Sequence, residues 1–403
     1  MTGAVVSRAA ELDAADPLAG FRERFVPCGD VRAYLDGNSL GRPLRASRER
    51  LLRFVDQAWG ERLIRGWDEQ WMDEPLRAGD ALGRVALGAA NGQTVIGDST
   101  SVLLYKLIRA AVDARPGRTE LVCDRDNFPT DRFVLQGIAA ELGLRVRWID
   151  CAPDGGVTPD QVAHVLGENT ALVLLSHVAY RSAWLAELPE ITALAHQHGA
   201  LVLWDLCHSV GVVPLELDDW GVDLAVGCTY KYLNGGPGAP AFAYVRADLH
   251  ERLQQPIWGW MGAGAPFAMG ETYQPASGIR RFLSGTPPIL GMQPLLDMID
   301  LVTEAGLPAI REKSVTLTEY AMALADQFGV TVASPRDGAR RGGHITLAHP
   351  AAREATARLW EIGVIPDFRP PDGVRIGLSP LSTSFAEVAD GLSALATVLS
   401  HAG

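Results

Sequence analysis

The chain has 403 residues, a formal net charge of -12, 47% hydrophobic residues and 21% charged residues. That length exceeds what one hydrophobic core usually supports, so two domains are expected. An acidic balance with no basic run argues against nucleic acid as the main partner, because phosphate contacts need clustered Lys and Arg. The opening MTGAVVSRAAELDAADPLAG lacks the charged-then-apolar order of a signal peptide, and no apolar run reaches the roughly 18 residues of a membrane span, so no membrane partner and a cytoplasmic location are expected. The five cysteines, Cys28, Cys123, Cys151, Cys207 and Cys228, are scattered without CxxC spacing and support neither a disulfide framework nor zinc. No metal is expected.

Residues 1–30 read as helical and then irregular, and Tyr34-Leu35 leads into a turn rich in glycine and asparagine, Asp36-Gly37-Asn38-Ser39-Leu40-Gly41. Helical spacing of Leu51, Leu52, Val55, Trp59 and Leu63 predicts a helix within residues 46–80, with Arg65 and Trp67 on it or just after it. A short strand over residues 94–97 runs into Asp98-Ser99-Thr100-Ser101 and a helix over 102–112. Hydroxyls at that position read equally as an N-cap and as a phosphate seat at the positive end of the helix, and the two are compatible.

From residue 120 onward, strands at 120–123, 144–149, 171–176, 200–204 and 223–227 alternate with helices, the pattern of parallel crossover units in one large sheet. The loops after these strands carry Ser176, His177, Tyr180, Asp205 and His208, where chemistry concentrates in such folds. Residues 254–288 are rich in Gly, Pro and Trp with little periodicity, the mark of a functional or interfacial loop. Strands at 330–333, 344–347 and 374–377 with helices at 351–363 and 385–399 predict an α+β C-terminal domain. The expected division is an N-terminal segment, 1–45, packing near the active site and the small domain, a large domain, 46–305, and a small domain, 306–403.

Residues 201–238 organise the whole. An apolar strand ends in Asp205, His208 follows, and Lys231 stands between two tyrosines before a glycine-rich turn. In a parallel sheet both Asp205 and Lys231 fall at the carboxyl edge of their strands. A carboxylate and a lysine facing one site suggest pyridoxal phosphate, with the lysine as Schiff-base partner and the acid on the pyridinium nitrogen. Taken alone, the same two residues also fit a solvated face.

The motifs Tyr34-Leu35-Asp36-Gly37-Asn38-Ser39-Leu40-Gly41, Asn127-Phe128-Pro129-Thr130-Asp131, Trp204-Asp205-Leu206-Cys207-His208-Ser209, Asp219-Trp220-Gly221-Val222-Asp223 and Cys228-Thr229-Tyr230-Lys231-Tyr232-Leu233-Asn234 closely resemble the kynureninase family, collinearly and over nearly the whole chain. Gly259-Trp260, Gly285-Thr286 and Arg375-Ile376-Gly377 add to the match. The resemblance implies an α/β, aspartate aminotransferase-like large domain of PLP fold type I with a mostly parallel sheet, a smaller α+β C-terminal domain, and a homodimer with shared active sites acting on a small amino acid. It implies pyridoxal 5'-phosphate as cofactor and hydrolysis of the Cβ-Cγ bond of kynurenine or a substituted kynurenine, giving alanine and anthranilate or a substituted anthranilate.

Residue by residue, the resemblance assigns catalysis to Lys231, Tyr230 and Asp205. Cofactor contacts fall to Thr100, Ser101, Phe128, Asp131, Ser182, Asp205, His208, Tyr230 and Lys231, with Trp260 and Thr286 supplied by the neighbouring subunit. Substrate contacts fall to Asn38, Ser39, Trp67, Arg375, Met261 and Ala263, with Arg375 as a bidentate fork for the α-carboxylate.

The chain also departs from the family pattern. Met261 and Ala263 stand where an aromatic residue and a histidine are usual, Trp258 where bacterial members carry a small residue, Leu103 and Ala179 where asparagines are expected, and Ser382 where a tyrosine is expected. The cofactor set is intact while the aryl pocket is altered, which keeps the reaction class and leaves another γ-keto or β-substituted amino acid open as substrate. A cysteine desulfurase relative would want a mobile cysteine in the C-terminal part, but the last cysteine is Cys228. A non-catalytic cofactor-binding sensor usually carries an added partner module, and this chain has no residues left over for one.

Overall fold

In a computed structural model describing residues 3–401, the chain builds a seven-stranded and a four-stranded sheet joined by long helices, with a third, two-stranded pair formed by residues 33–34 and 364–365. Helix α1 (Gly3–Ala15) is followed by β1 (Ala33–Tyr34), α2 (Arg45–Arg53), α3 (Glu74–Leu82), β2 (Thr94–Ile96) and α4 (Thr100–Asp113). Alternation then runs through β3 (Glu120–Asp124), α5 (Pro129–Leu142), β4 (Arg145–Ile149), α6 (Pro159–Val165), β5 (Thr170–Ser176), α7 (Leu188–Gln197), β6 (Leu201–Asp205), β7 (Leu224–Gly227) and β8 (Phe242–Val245). Helices α8 (Ile289–Ala305) and α9 (Leu307–Gln327) lead to β9 (Thr331–Val332), β10 (His344–Ala348), α10 (Ala352–Glu361), β11 (Val364–Ile365), β12 (Asp367–Arg369), β13 (Gly373–Gly377) and α11 (Phe385–Ser400).

The large sheet has the order β2-β8-β7-β6-β5-β3-β4. Strands β3 to β7 pair in parallel, while β8 is antiparallel to both β7 and β2. Side chains alternate between the faces, so Val202 and Trp204 enter one apolar core while Leu201 and Leu203 enter the other. Burial on both faces explains why these strands read as unbroken apolar runs. Chain order reverses between β3 and β5, which opens a crevice at their carboxyl ends.

The second sheet, β12-β13-β10-β9, is antiparallel. Its core includes Val5, Ala9, Ala33 and Leu35 together with Leu317, Ile345, Leu347 and Leu392, so the N-terminal segment packs with the C-terminal sheet. Strand β12 is missed by the sequence reading because Asp367, Phe368 and Arg369 are all half-buried and two are charged, leaving no apolar run to find.

The helix expected within residues 46–80 is broken. The α2 helix passes into a π-helical stretch, Phe54–Glu61, and Leu63 adopts a positive φ of 51° that ends it. Its apolar residues do not face the core: Leu52, Val55, Trp59, Leu63 and Ile64 are between 45% and 77% exposed. An apolar stripe of this kind on a chain surface marks an interaction face.

The turn after β1 reaches across to the large domain. Gly41 N donates to Tyr230 O at 2.9 Å, and Asn234 Nδ2 donates to Arg42 O at 2.8 Å. A Cβ on Gly41 would sit 2.5 Å from both the Asn234 side chain and Lys231 O, closer than atoms tolerate. Gly41→Ala is therefore expected to cost about 1–3 kcal/mol of stability, measurable as a lowered denaturation midpoint at unchanged m-value.

Candidate active site

The crevice holds a cavity lined by Thr100, Ser101, Phe128, Thr130, Asp131, Ser176, Tyr180, Asp205, Cys207, His208, Tyr230 and Lys231. Each comes from the carboxyl end of a strand or the start of a helix. Ser99 makes no side-chain cap on α4, so the N-H groups at Thr100 and Ser101 remain open toward the cavity. Asn127 Oδ1 accepts from Phe128 N and from Ser176 Oγ, both at 2.7 Å, which fixes the loop that presents Phe128. Phe128 meets Tyr180 edge-on at 5.4 Å, and Lys231 Nζ lies 5.8 Å from the Phe128 ring centre.

Asp205 Oδ1 accepts from Cys207 N at 2.7 Å, the bond that orients the carboxylate at the end of β6. Beside it Asp131 is 1% exposed, and its Oδ2 has no hydrogen-bond partner in the protein. Burial first, and the negative Asp205 second, push the Asp131 carboxyl well above the usual carboxylate range. The pair therefore holds a proton. Lys231 Nζ and His208 Nε2 are 3.2 Å apart. Burial, then the Lys231 charge, drive the His208 imidazole well below its ordinary value, so it is neutral and accepts a hydrogen bond from the amine. Burial also raises the Tyr230 phenol, with Cys228 adding to the effect, so Tyr230 stays protonated.

An orphaned buried carboxyl, an open helix start, a lysine held by a neutral histidine and an aromatic face surround one cavity. That donor set fits pyridoxal 5'-phosphate: the acid pair for the pyridine nitrogen, the helix start for the phosphate, Phe128 for the ring and Lys231 for the aldehyde carbon.

Several residues named from the sequence lie elsewhere. Ser182 does not line the cavity; its Oγ donates to Gly155 O at 2.5 Å and accepts from Trp184 N at 3.1 Å, holding a turn. Trp67 packs edge-on against Trp71 at 5.5 Å beside the cores. Met261 is 0% exposed within a core, so its side chain backs the 254–288 loop. Ala263 bridges to Pro275 in that same loop, Trp258 stacks on Tyr273 at 5.1 Å, and neither touches this chain's cavity. Trp260 and Thr286 also lie outside it, with Thr286 exposed. Leu103 is core, Ala179 lines a neighbouring crevice and Ser382 is buried. His177 packs against Trp204, and burial lowers it to about 3, the behaviour of a neutral core histidine.

Arg375 is 1% exposed and sits one layer behind Tyr180. Its Nη1 donates to Tyr180 O at 2.9 Å, its Nη2 to Ser39 Oγ at 2.7 Å and to Asp367 Oδ2 at 2.6 Å. Asn38, oriented to satisfy both neighbours, accepts from Arg375 Nε at 3.1 Å and donates to Asp36 Oδ1 at 3.2 Å. Asn38 and Ser39 therefore serve Arg375 in this state instead of facing the cavity. Burial raises Asp36 to about 6. A guanidinium has five N-H donors; four are taken here, so a bidentate grip on a substrate requires one protein acceptor to leave.

Thr130, Ser176, Tyr180 and Cys207 complete the lining without having been assigned roles from the sequence. Their signal was positional: Thr130 and Cys207 adjoin Asp131 and His208, while Ser176 ends β5 and Tyr180 lies in the loop that follows it. His344, 5.3 Å from His208 and 0% exposed, was missed because it lies on β10, far away in the chain. Among the described residues no group of His, Cys, Asp and Glu could hold a metal ion, and no helix is long and apolar enough to cross a membrane.

Because the folded value of Asp131 lies above the ordinary 3.8, its contribution to stability is full below that value and is lost as pH rises through the folded one. In thermal melts of the cofactor-free protein, Asp131→Asn is expected to flatten the fall in stability as pH rises above the ordinary carboxylate range.

A family model described as the kynureninase C-terminal domain matches residues 310–395. A kynureninase of Pseudomonas fluorescens is 38% identical over 96% of this chain and 94% of its own length. One from Burkholderia pseudomallei (strain 1106a) is 40% identical with the same coverage. Among solved structures, the apo cysteine desulfurase of Thermococcus onnurineus NA1 superposes with a TM-score of 0.83 at 17% identity, covering 95% of this chain and 98% of that one. A C-DES mutant with glycine covalently linked to its PLP cofactor gives 0.82 at 19% identity, covering 93% and 98%. Those likenesses establish the α/β, aspartate aminotransferase-like fold. The sequence relatives, at this identity and over nearly the full length, place the chain in the kynureninase family.

Proposed function

We propose that the protein hydrolyses the Cβ-Cγ bond of kynurenine or a ring-substituted kynurenine, releasing L-alanine and anthranilate or a substituted anthranilate. The observation that carries this is the convergence of Lys231, His208, Phe128 and the Asp131-Asp205 pair on one cavity, in a member of this family. When bound, pyridoxal phosphate supplies the electron sink that lets bonds at Cα and Cβ break heterolytically. Asp205, with the proton shared by Asp131, keeps the pyridine nitrogen side acidic. Thr100 and Ser101 hold the phosphate at the start of α4, and Phe128 covers the ring. Lys231 Nζ takes and returns the Cα proton, with neutral His208 holding the amine in place. Tyr230, kept protonated by burial, delivers a proton to the alanine carbon skeleton. Arg375 seats the α-carboxylate.

Supporting the homodimer reading, Trp260 and Thr286 lie outside their own cavity, Thr286 is exposed, and the stripe from Leu52 to Ile64 is uncovered in a single chain. Five free cysteines suit a reducing cytoplasm. The division into 1–45, 46–305 and 306–403 is supported by separate cores for the large and small sheets, with the first segment bridging them: Leu18, Phe25 and Leu44 pack in the large-domain core and Val5, Ala9, Ala33 and Leu35 in the small-domain core.

Alanine release from kynurenine and 3-hydroxykynurenine tests the assignment. Lys231→Ala is expected to lower that turnover at least roughly 10³-fold. No alanine from either compound, with release from other γ-keto α-amino acids, would move the substrate and keep the reaction class. Trp59→Glu is expected to shift the protein from dimer to monomer in sedimentation and to lower turnover with it.

A further inference from the structure

We propose that Asp367 is a placeholder for the substrate's carboxylate: it occupies Arg375 in the empty site and is handed to Arg369 when an amino acid binds. This rests on the reading of Arg375 as the carboxylate seat. Asp367 and Arg375 are directly opposed partners across β12 and β13. Arg369 stands two residues along β12, on the same face as Asp367, opposite Gly373, which offers no side chain. A single oxygen, Asp367 Oδ2, accepts from Arg375 Nη2 at 2.6 Å and ion-pairs with Arg369 Nη2 at 2.7 Å. The carboxylate is thus already divided between two cations.

The two cations differ in what else holds them. Arg375 is locked by Tyr180, Ser39 and Asn38, with one N-H left on Nη1. Arg369 is about a quarter exposed, its Nε is buried without a partner, and its guanidinium lies 5.8 Å from the Tyr180 ring that also lines the cavity. Release of Nη2 by Asp367 gives Arg375 a free N-H on each terminal nitrogen, which is the fork a carboxylate needs. Arg369, with donor capacity unspent, retains Asp367 so that this half-buried carboxylate is not left unpaired. Asp36, also near Arg375 at 3.9 Å, lies farther than hydrogen-bonding distance and cannot play this part. Asp367 touches the guanidinium and not the substrate, so it is a positioning residue: it keeps the buried cation of Arg375 neutralised between turnovers and makes the site selective for ligands that bring a carboxylate of their own.

The test uses the holoenzyme and two probes, L-alanine and L-alaninamide, each titrated by the change in cofactor absorption. Asp367→Asn removes the competing charge and keeps the shape; it is expected to tighten L-alanine by at least roughly tenfold, the worth of one charge-assisted hydrogen bond, and to leave L-alaninamide unchanged. Arg369→Gln leaves Asp367 on Arg375 and is expected to weaken L-alanine alone. Weaker L-alanine binding by Asp367→Asn would overturn the placeholder and make Asp367 a plain brace for Arg375; equal shifts for both probes would overturn it as well. Arg375→Lys separates the underlying reading: wild-type affinity for L-alanine in that variant would show that the carboxylate seat itself is elsewhere.

Discussion

One turn ties the two larger sheets together. Residues 36–42 hydrogen-bond to the Lys231 loop of the large domain through Gly41 and Arg42, and to Arg375 on the small sheet through Asn38 and Ser39. The amine that meets the cofactor and the guanidinium that meets the carboxylate are carried by different sheets with separate cores. Their relative placement is therefore fixed by a segment bonded to both sides: Asp36 bridges Gly377 at the end of β13, and Gly41 meets the Lys231 loop. Glycine at 41 is what lets the backbone come close enough. An amino acid bridging the two groups reads the position of that turn as directly as it reads either side chain.

The cavity itself is an electrostatic compromise. Two carboxyls, an amine and two histidines are gathered where solvent is scarce, and full ionisation of all of them would cost far more than the fold can supply. Burial resolves this by keeping Asp131 and Tyr230 protonated and His208 and His344 neutral. Each neutral group keeps its hydrogen-bonding capacity, which is what proton handling at one carbon requires.

Much of this was legible in the sequence. Strands β5 to β7 announce themselves as apolar runs, and Asp205, His208, Tyr230 and Lys231 follow from being at their ends. Phe128 and Asp131 follow from the family motif. Motif position does not report packing: Met261 lies in a core and Trp67 packs against one, neither lining this chain's cavity. The stripe over α2 has helical spacing and faces outward, because periodicity locates an apolar face without saying what covers it. Asp367 and Arg369 carried no signal at all: a short charged strand becomes meaningful only when β13 brings Arg375 opposite it.

The 254–288 loop carries Trp258 and Ala263, and its turns are closed by backbone hydrogen bonds. Met261 N donates to Ser284 O, Ala276 N to Gly262 O, and Gly264 N to Gln274 O. Such bonds are indifferent to the identity of neighbouring side chains. The loop's exposed side chains, Trp258 among them, can therefore be exchanged without disturbing the strands that line the cavity, whereas Met261, Ile279 and Phe282 pack in a core with those strands. Selection for a new substrate has a place to act that puts neither folding nor the acid pair at risk.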